Sequence, residues 1–245
     1  MPCVGLIVLA GSITLIVAPD EQPAQPPAQS AAGFPTVVID PGHGGNDDGA
    51  KSGALVEKEL TLDVALRLEK LLTQFKFPTV LTRRDDSYVS LPERAAIANK
   101  FPDFFFVSIH FNKGRGGSGV ETFFATEKVP PEADWTWTGF FNPPEPAALD
   151  RGDSLAGFIQ ASMVRHTEGA DRGIRGRPLS VLRHTRGPAA LVECGFLNNP
   201  VEGRLIENPS YRDLMARAIA EGVMSYQKSR PRRPGQPPQL ANTLQ

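Results

Sequence analysis

The chain has 245 residues, 40% of them hydrophobic, enough for one substantial buried core, and one domain is expected. With 26 Lys+Arg against 27 Asp+Glu the net charge is −1, which excludes a general electrostatic footprint for nucleic acid. The cysteines are Cys3 and Cys194, and Cys3 lies in a segment expected to be removed or membrane-embedded, so no disulfide framework is implied.

Residues 1–18 carry an uncharged apolar run of the length of a signal peptide's core or a short membrane anchor. Export to the periplasm or cell envelope is therefore expected, with membrane anchoring as one form of it. The run lacks the usual opening Lys or Arg, and a buried first helix is the alternative. Residues 19–33 are rich in Pro, Ala and Gln without apolar periodicity, which describes a linker. The folded domain is expected over 34–228 and a disordered tail over 229–245.

Within the domain, residues 36–40 (TVVID) read as a buried strand that runs into the glycine-rich turn PGHGG around His43. From Glu57 to Phe75 the apolar residues Leu60, Val64, Leu68, Leu71, Leu72 and Phe75 form a helical stripe, which puts Glu57 at a helix N-terminus. Residues 77–82 read as a strand. Ser90 and Glu93 form a capping box that opens a helix ending near Phe101. Residues 104–110 (FFFVSIH) are a strand ending on His110, followed by the turn GRGGSG at 114–119 and a strand at 120–125. The segment 126–149 is proline-rich and aromatic (Trp135, Trp137, Phe140, Phe141), too irregular for an ordinary connection, and is expected to be a lid or substrate-facing insertion. A helix follows from about Asp150 to Thr167, then short strands at 179–183 and 189–193, and Asn208-Pro209 opens a last helix to about Lys228. This alternation predicts an α/β fold: a single domain with a twisted, mostly parallel sheet covered by helices on both faces.

The chemistry concentrates at strand ends. His43, His110 and Glu193 each leave an apolar run, and open α/β sheets gather their sites beyond the carboxyl ends of the strands. Two His and one Glu are an established ligand set for catalytic zinc, and His43, Glu57 and His110 supply it, for one Zn²⁺ per chain. Glu193 is the candidate proton shuttle. For the turn around His43, a phosphate loop competes, but the Lys-Ser/Thr that completes that motif is missing. His166 and His184 are assigned surface or structural roles. Cys194 is either a nucleophile paired with a histidine or a small buried strand residue. Asp40 either orients a ligand imidazole from behind or simply ends its strand. The Lys228, Arg230, Arg232 and Arg233 cluster either touches anionic wall polymer or lipid or is solvated.

The strings VVIDPGHGG, GALVEKELTLDVA, FFFVSIHFN and ALVECGFLNN, in this order over residues 35–228, closely resemble the zinc-dependent N-acetylmuramoyl-L-alanine amidases of the amidase-3 family. The resemblance implies zinc ligation by His43, Glu57 and His110, catalysis by Glu193, and hydrolysis of the amide joining N-acetylmuramic acid to L-alanine in peptidoglycan. It places Arg183, with Asn112, against substrate. It also places 126–149 where relatives carry an insertion that in some blocks the zinc until an activator displaces it; blocking, glycan binding and packing on the body all remain readings of this segment. A cysteine hydrolase and a catalytically silent peptidoglycan-binding or regulatory module with a structural zinc are the competing expectations.

Overall fold

The computed structural model describes residues 33–127 and 154–231, and upstream only the backbone of a short ladder pairing Val8–Leu9 with Ser12–Ile13. The rest of the expected leader, the linker up to residue 32, the insertion beyond Glu127 and the tail beyond Pro231 lie outside the described residues; of the disordered tail expected from 229, Ser229 still belongs to the last helix and Arg230 pairs with Asp103. Among the described residues no helix is long and apolar enough to cross a membrane.

The elements in chain order are β1 (Thr36–Pro41), β2 (Lys51–Ser52), β3 (Leu55–Val56), α1 (Glu57–Gln74), β4 (Thr79–Leu81), α2 (Leu91–Asn99), β5 (Phe104–Asn112), β6 (Val120–Ala125), α3 (Leu155–Thr167), β7 (Asp171–Arg177), α4 (Ser180–Arg183), β8 (Ala189–Phe196), α5 (Pro200–Glu207) and α6 (Pro209–Ser229). Six strands form one sheet in the order β4-β1-β5-β8-β6-β7. The first four are mutually parallel, β6 runs antiparallel to β8, and β7 runs parallel to β6 at the edge. The mostly parallel, helix-covered sheet expected from the alternation is the fold observed.

Strand alternation divides the core between the two faces. Val37, Ile39, Phe105, Val107, Ile109 and Val192 face the layer of α1, α3 and α6, while Val38, Phe104, Phe106 and Leu191 face Ala98 of α2 and Val181 and Leu182 of α4. Phe105 and Phe106, neighbours in β5, are both fully buried on opposite faces. Burying a side chain of that size contributes about 1.5–3 kcal/mol. The continuous apolar runs in β1, β5 and β8 follow from burial on both sides.

Helix starts are specified locally. Ser90 caps α2 through the Glu93 amide, and Glu93 reaches back to the Ser90 amide. Asn199 and Asn208 each cap a helix that opens on proline. The helix expected from about Asp150 starts instead at Leu155, where the Ser154 side chain accepts from the Gly157 amide. Residues 179–183, expected as a strand, are the helical turn α4, closed by the Arg183 and Leu182 amides donating to the Leu179 carbonyl. An apolar run this short does not distinguish strand from buried helical turn. The hairpin of β2 and β3, the edge strand β7 and the helix α5 are additions to the expected elements.

Candidate active site

The carboxyl ends of β1 and β5 and the start of α1 meet at one place. The hairpin of β2 and β3 delivers Glu57 to the first position of α1, where the helix dipole favours a carboxylate. Glu57 Oε2 accepts from the Ala50 amide at 2.7 Å, and Oε1 accepts from the Phe111 amide at 3.0 Å. The same Oε1 stands 3.1 Å from His43 Nε2 and 3.1 Å from His110 Nδ1. His43, Glu57 and His110 each offer a ligand atom, and these atoms all lie within 4.8 Å of one another. Gly42 and Gly49 make that approach sterically available: a Cβ at Gly42 would sit 2.4 Å from His110 Cε1, and one at Gly49 would sit 2.6 Å from Glu57 Oε2.

His43 adopts φ 61°, a left-handed conformation that costs a non-glycine residue roughly 1–3 kcal/mol. Its ring is oriented by Asp47, whose Oδ2 lies 2.8 Å from Nδ1, which turns Nε2 toward Glu57. Burial works to lower the His43 pKa, but the hydrogen bonds and charges of Glu57 and Asp47 outweigh it, and the net shift is upward. For Glu57 burial acts to raise the pKa, and the bonds to His110 and His43 overcome it, holding the carboxyl well below the usual range. The trio therefore presents one ionised carboxylate and two imidazoles, a donor set that fits a divalent zinc ion.

Glu193 lies beside this trio on β8, in register with His110 of β5. Burial pushes its carboxyl up to about 7, with the charges of Glu57 and Glu121 adding and those of His110 and His43 opposing. Its Oε2 is buried without a hydrogen-bond partner. A half-buried carboxylate with one buried, unused oxygen beside clustered imidazoles is an arrangement suited to moving a proton. On the other side of Glu193, in register on β6, stands Glu121, 4% exposed and paired with Arg175 and, at 3.5 Å, with Arg172. A cleft of about 350 Å³ opens next to the histidines, walled by Tyr88, Leu91, Leu179 and Val181.

The remaining candidates are placed as follows. Asp40 reaches neither imidazole: its carboxylate accepts from Thr82 Oγ1 at 2.6 Å, Arg94 Nη1 at 2.8 Å and Ser108 Oγ at 2.7 Å. Asp47 makes the imidazole contact expected of Asp40, because the left-handed turn at His43 folds the chain back onto that carboxylate. Arg183 belongs to α4 and its Nη2 pairs with Glu127 at 3.0 Å. Asn112 follows His110 by two residues on the same face of β5, and its Oδ1 accepts from the Lys113 amide at 2.7 Å. His166 pairs with Glu221 and His184 Nδ1 lies 2.8 Å from the Ser180 carbonyl, both apart from the trio. Arg230 pairs with Asp103 at 3.2 Å and lies over the Phe105 ring.

Cys194 is 1% exposed and packs in the core layer of α1, α3 and α6, the face of the sheet opposite to Glu193. Burial drives its thiol far above the ordinary value. A nucleophilic thiolate is not available there. Among functional groups that sequence reasoning missed, Glu121 left a signal as the charged residue of the strand VETFFA, whereas in the run Asn46-Asp47-Asp48 nothing singles out Asp47.

Residues 37–225 match the family described as N-acetylmuramoyl-L-alanine amidase, amidase-3. The sporulation-specific N-acetylmuramoyl-L-alanine amidase of Bacillus subtilis strain 168 is 33% identical over 189 residues, which cover 76% of this chain and 66% of that protein, so the chain spans just under two thirds of this curated relative. Among solved structures, the N-acetylmuramoyl-L-alanine amidase of Clostridium difficile 630 superposes with a TM-score of 0.68 at 37% identity, covering 81% of this chain and 99% of that one. The CwlD amidase of Clostridioides difficile, solved in complex with the GerS lipoprotein, superposes with a TM-score of 0.66 at 27% identity over 79% of this chain and 98% of that one. The chain belongs to the amidase-3 family of N-acetylmuramoyl-L-alanine amidases.

Proposed function

We propose that this chain hydrolyses the amide bond between the lactyl group of N-acetylmuramic acid and L-alanine in peptidoglycan, with zinc held by His43, Glu57 and His110 and with Glu193 as general base and acid. The observation that carries the reading is the unpartnered Oε2 of Glu193 beside the clustered donor atoms of the trio. When bound, zinc polarises the scissile carbonyl and makes water acidic enough to attack near neutral pH. Glu193 takes the proton of the attacking water as the carbon–oxygen bond forms. It returns that proton to the departing nitrogen as the carbon–nitrogen bond breaks, leaving a muramoyl carboxylate and the amino group of a free stem peptide. In the metal-free chain burial raises this carboxyl to about 7, toward the range in which a group can both take and give a proton. Asp47 keeps the Nδ1 proton on His43, and the two backbone amides on Glu57 keep its carboxylate from rotating.

The three protein ligands support a catalytic rather than a structural zinc, because structural sites close with four, and among the described residues the trio has no fourth. Peptidoglycan as substrate and export to the envelope follow from the same reading. An activator acting on residues 126–149 belongs to it too, supported by the partner bound to the CwlD amidase. The test is digestion of purified peptidoglycan by the full-length chain, with products resolved by mass. Free stem peptides beginning with L-alanine and peptide-free glycan strands are expected; cleavage only within peptide cross-links or between sugars would refute the assignment.

A further inference from the structure

The turn that carries His43 is gripped from behind by two buried arginines. Arg83 is 4% and Arg94 3% exposed, unusual for guanidinium groups without strong partners. Arg94 Nη1 donates to the Pro41 carbonyl at 2.7 Å, and its Nη2 donates to the His43 carbonyl at 2.7 Å. Its Nε is anchored on the Val89 carbonyl at 2.8 Å. Arg83 Nε donates to the same Pro41 carbonyl at 3.1 Å, and its Nη2 donates to the Gly42 carbonyl at 2.8 Å, which also accepts from Thr61 Oγ1 at 2.8 Å. Three consecutive carbonyls, at 41, 42 and 43, are thus taken by two guanidinium forks, and the left-handed His43 lies at the end of that run.

Asp40 completes the arrangement. It is 1% exposed, and its carboxylate meets Arg94 while Thr82 and Ser108 satisfy its other lone pairs. A buried guanidinium requires such a counter-charge. The next residues are tied down as well: the Gly45 amide donates to Asp86 Oδ1 at 2.9 Å, and Lys58 Nζ donates to the Gly45 carbonyl at 2.8 Å.

We propose that Arg83 and Arg94, with Asp40 as the buried counter-charge, are positioning residues that hold His43 in its left-handed turn and thereby set the metal affinity of the trio. The inference rests on the reading of His43, Glu57 and His110 as a metal site. A backbone conformation that is costly on its own persists only where its surroundings over-determine it, and here the determinants are planar forks that span neighbouring carbonyls. Lysine has its three donors on one atom and cannot bridge the carbonyls of residues 41 and 43.

The test uses the full chain and zinc itself. Zinc dissociation constants are measured by chelator competition for the wild type, Arg83→Lys, Arg94→Lys and Asp40→Asn. Alongside run the thermal midpoints of the metal-free proteins and the visible spectra of the cobalt-loaded ones. Ile159→Val, a fully buried change in α3 on the other face of the sheet, is the control for general loss of stability. Each lysine variant is expected to weaken zinc binding about 10–100-fold and to alter the cobalt spectrum, effects typical of residues that orient ligands. Ile159→Val is expected to lower the midpoint and leave both unchanged. Should the lysine variants fail to fold, Asp40→Asn keeps the shape and the Arg94 acceptor, and is expected to weaken zinc in the same direction. Zinc affinity equal to wild type in the folded variants would overturn the proposal, whereas a wild type that takes up no zinc would overturn the metal reading of the trio, and this one with it.

Discussion

Replacing Glu193 by Gln separates proton transfer from metal binding and from folding. The amide keeps the shape of the side chain but cannot accept a proton, so activity on peptidoglycan is expected to fall about 10²–10⁴-fold, equivalent to ~3–5 kcal/mol of transition-state stabilisation. Zinc content is expected to remain at one per chain, because Glu193 is outside the trio. Stability gives an independent readout in the metal-free protein. Burial raises the Glu193 pKa from an ordinary 4.5 to about 7 in the fold, so the protonated form is the one the fold favours. The stability this contributes is fully present below about pH 4.5 and is lost as pH rises through about 7, a change of ~3 kcal/mol at 1.36 kcal/mol per unit. Against Glu193→Gln, the wild type should therefore lose ground between about pH 4.5 and 7 and then hold a constant deficit. Any cost of burying the amide adds an offset independent of pH. The assays are initial rates of stem-peptide release, metal analysis and thermal midpoints across pH. Activity within about tenfold of wild type, with zinc bound, would refute the role given to Glu193.

Other changes probe the rest of the site. His110→Ala should lose both zinc and turnover, and full zinc occupancy by metal analysis would contradict its place among the ligands. Gly42→Ala should weaken zinc binding sharply, since the new Cβ would fall 2.4 Å from the His110 ring; unchanged affinity would mean that the turn yields freely. Cys194→Ala should retain near-wild-type activity while losing about 1 kcal/mol or more of stability as a small cavity opens, whereas abolished turnover in a folded, zinc-loaded protein would revive a thiol mechanism.

The parts of the fold legible in the sequence are those whose pattern is set by burial on both faces or by local caps. The runs at β1, β5 and β8, the stripe of α1, and the caps at Ser90 and Asn208 all carry their physical cause in adjacent residues. The edge strand β7 reads DRGIRGR, and a strand paired on one side only needs no apolar alternation, which left it without a sequence signal. Helix α5 carried the same Asn-Pro opening as α6, so its start was readable at Asn199. At the site, His43, Glu57 and His110 stood out because they leave strand ends or open a helix. The role of Asp47 depends on the left-handed turn at His43, and those of Arg83 and Arg94 on contacts between segments 41 to 53 residues apart, which residue spacing does not encode.

The most direct test of zinc-dependent amide hydrolysis is stem-peptide release by the full-length chain after chelation and stepwise zinc return. Activity that vanishes with the metal and recovers in proportion to zinc bound, saturating at one per chain, is the predicted result. Release that persists in metal-free protein, or a zinc-loaded chain that frees no stem peptide, would contradict it.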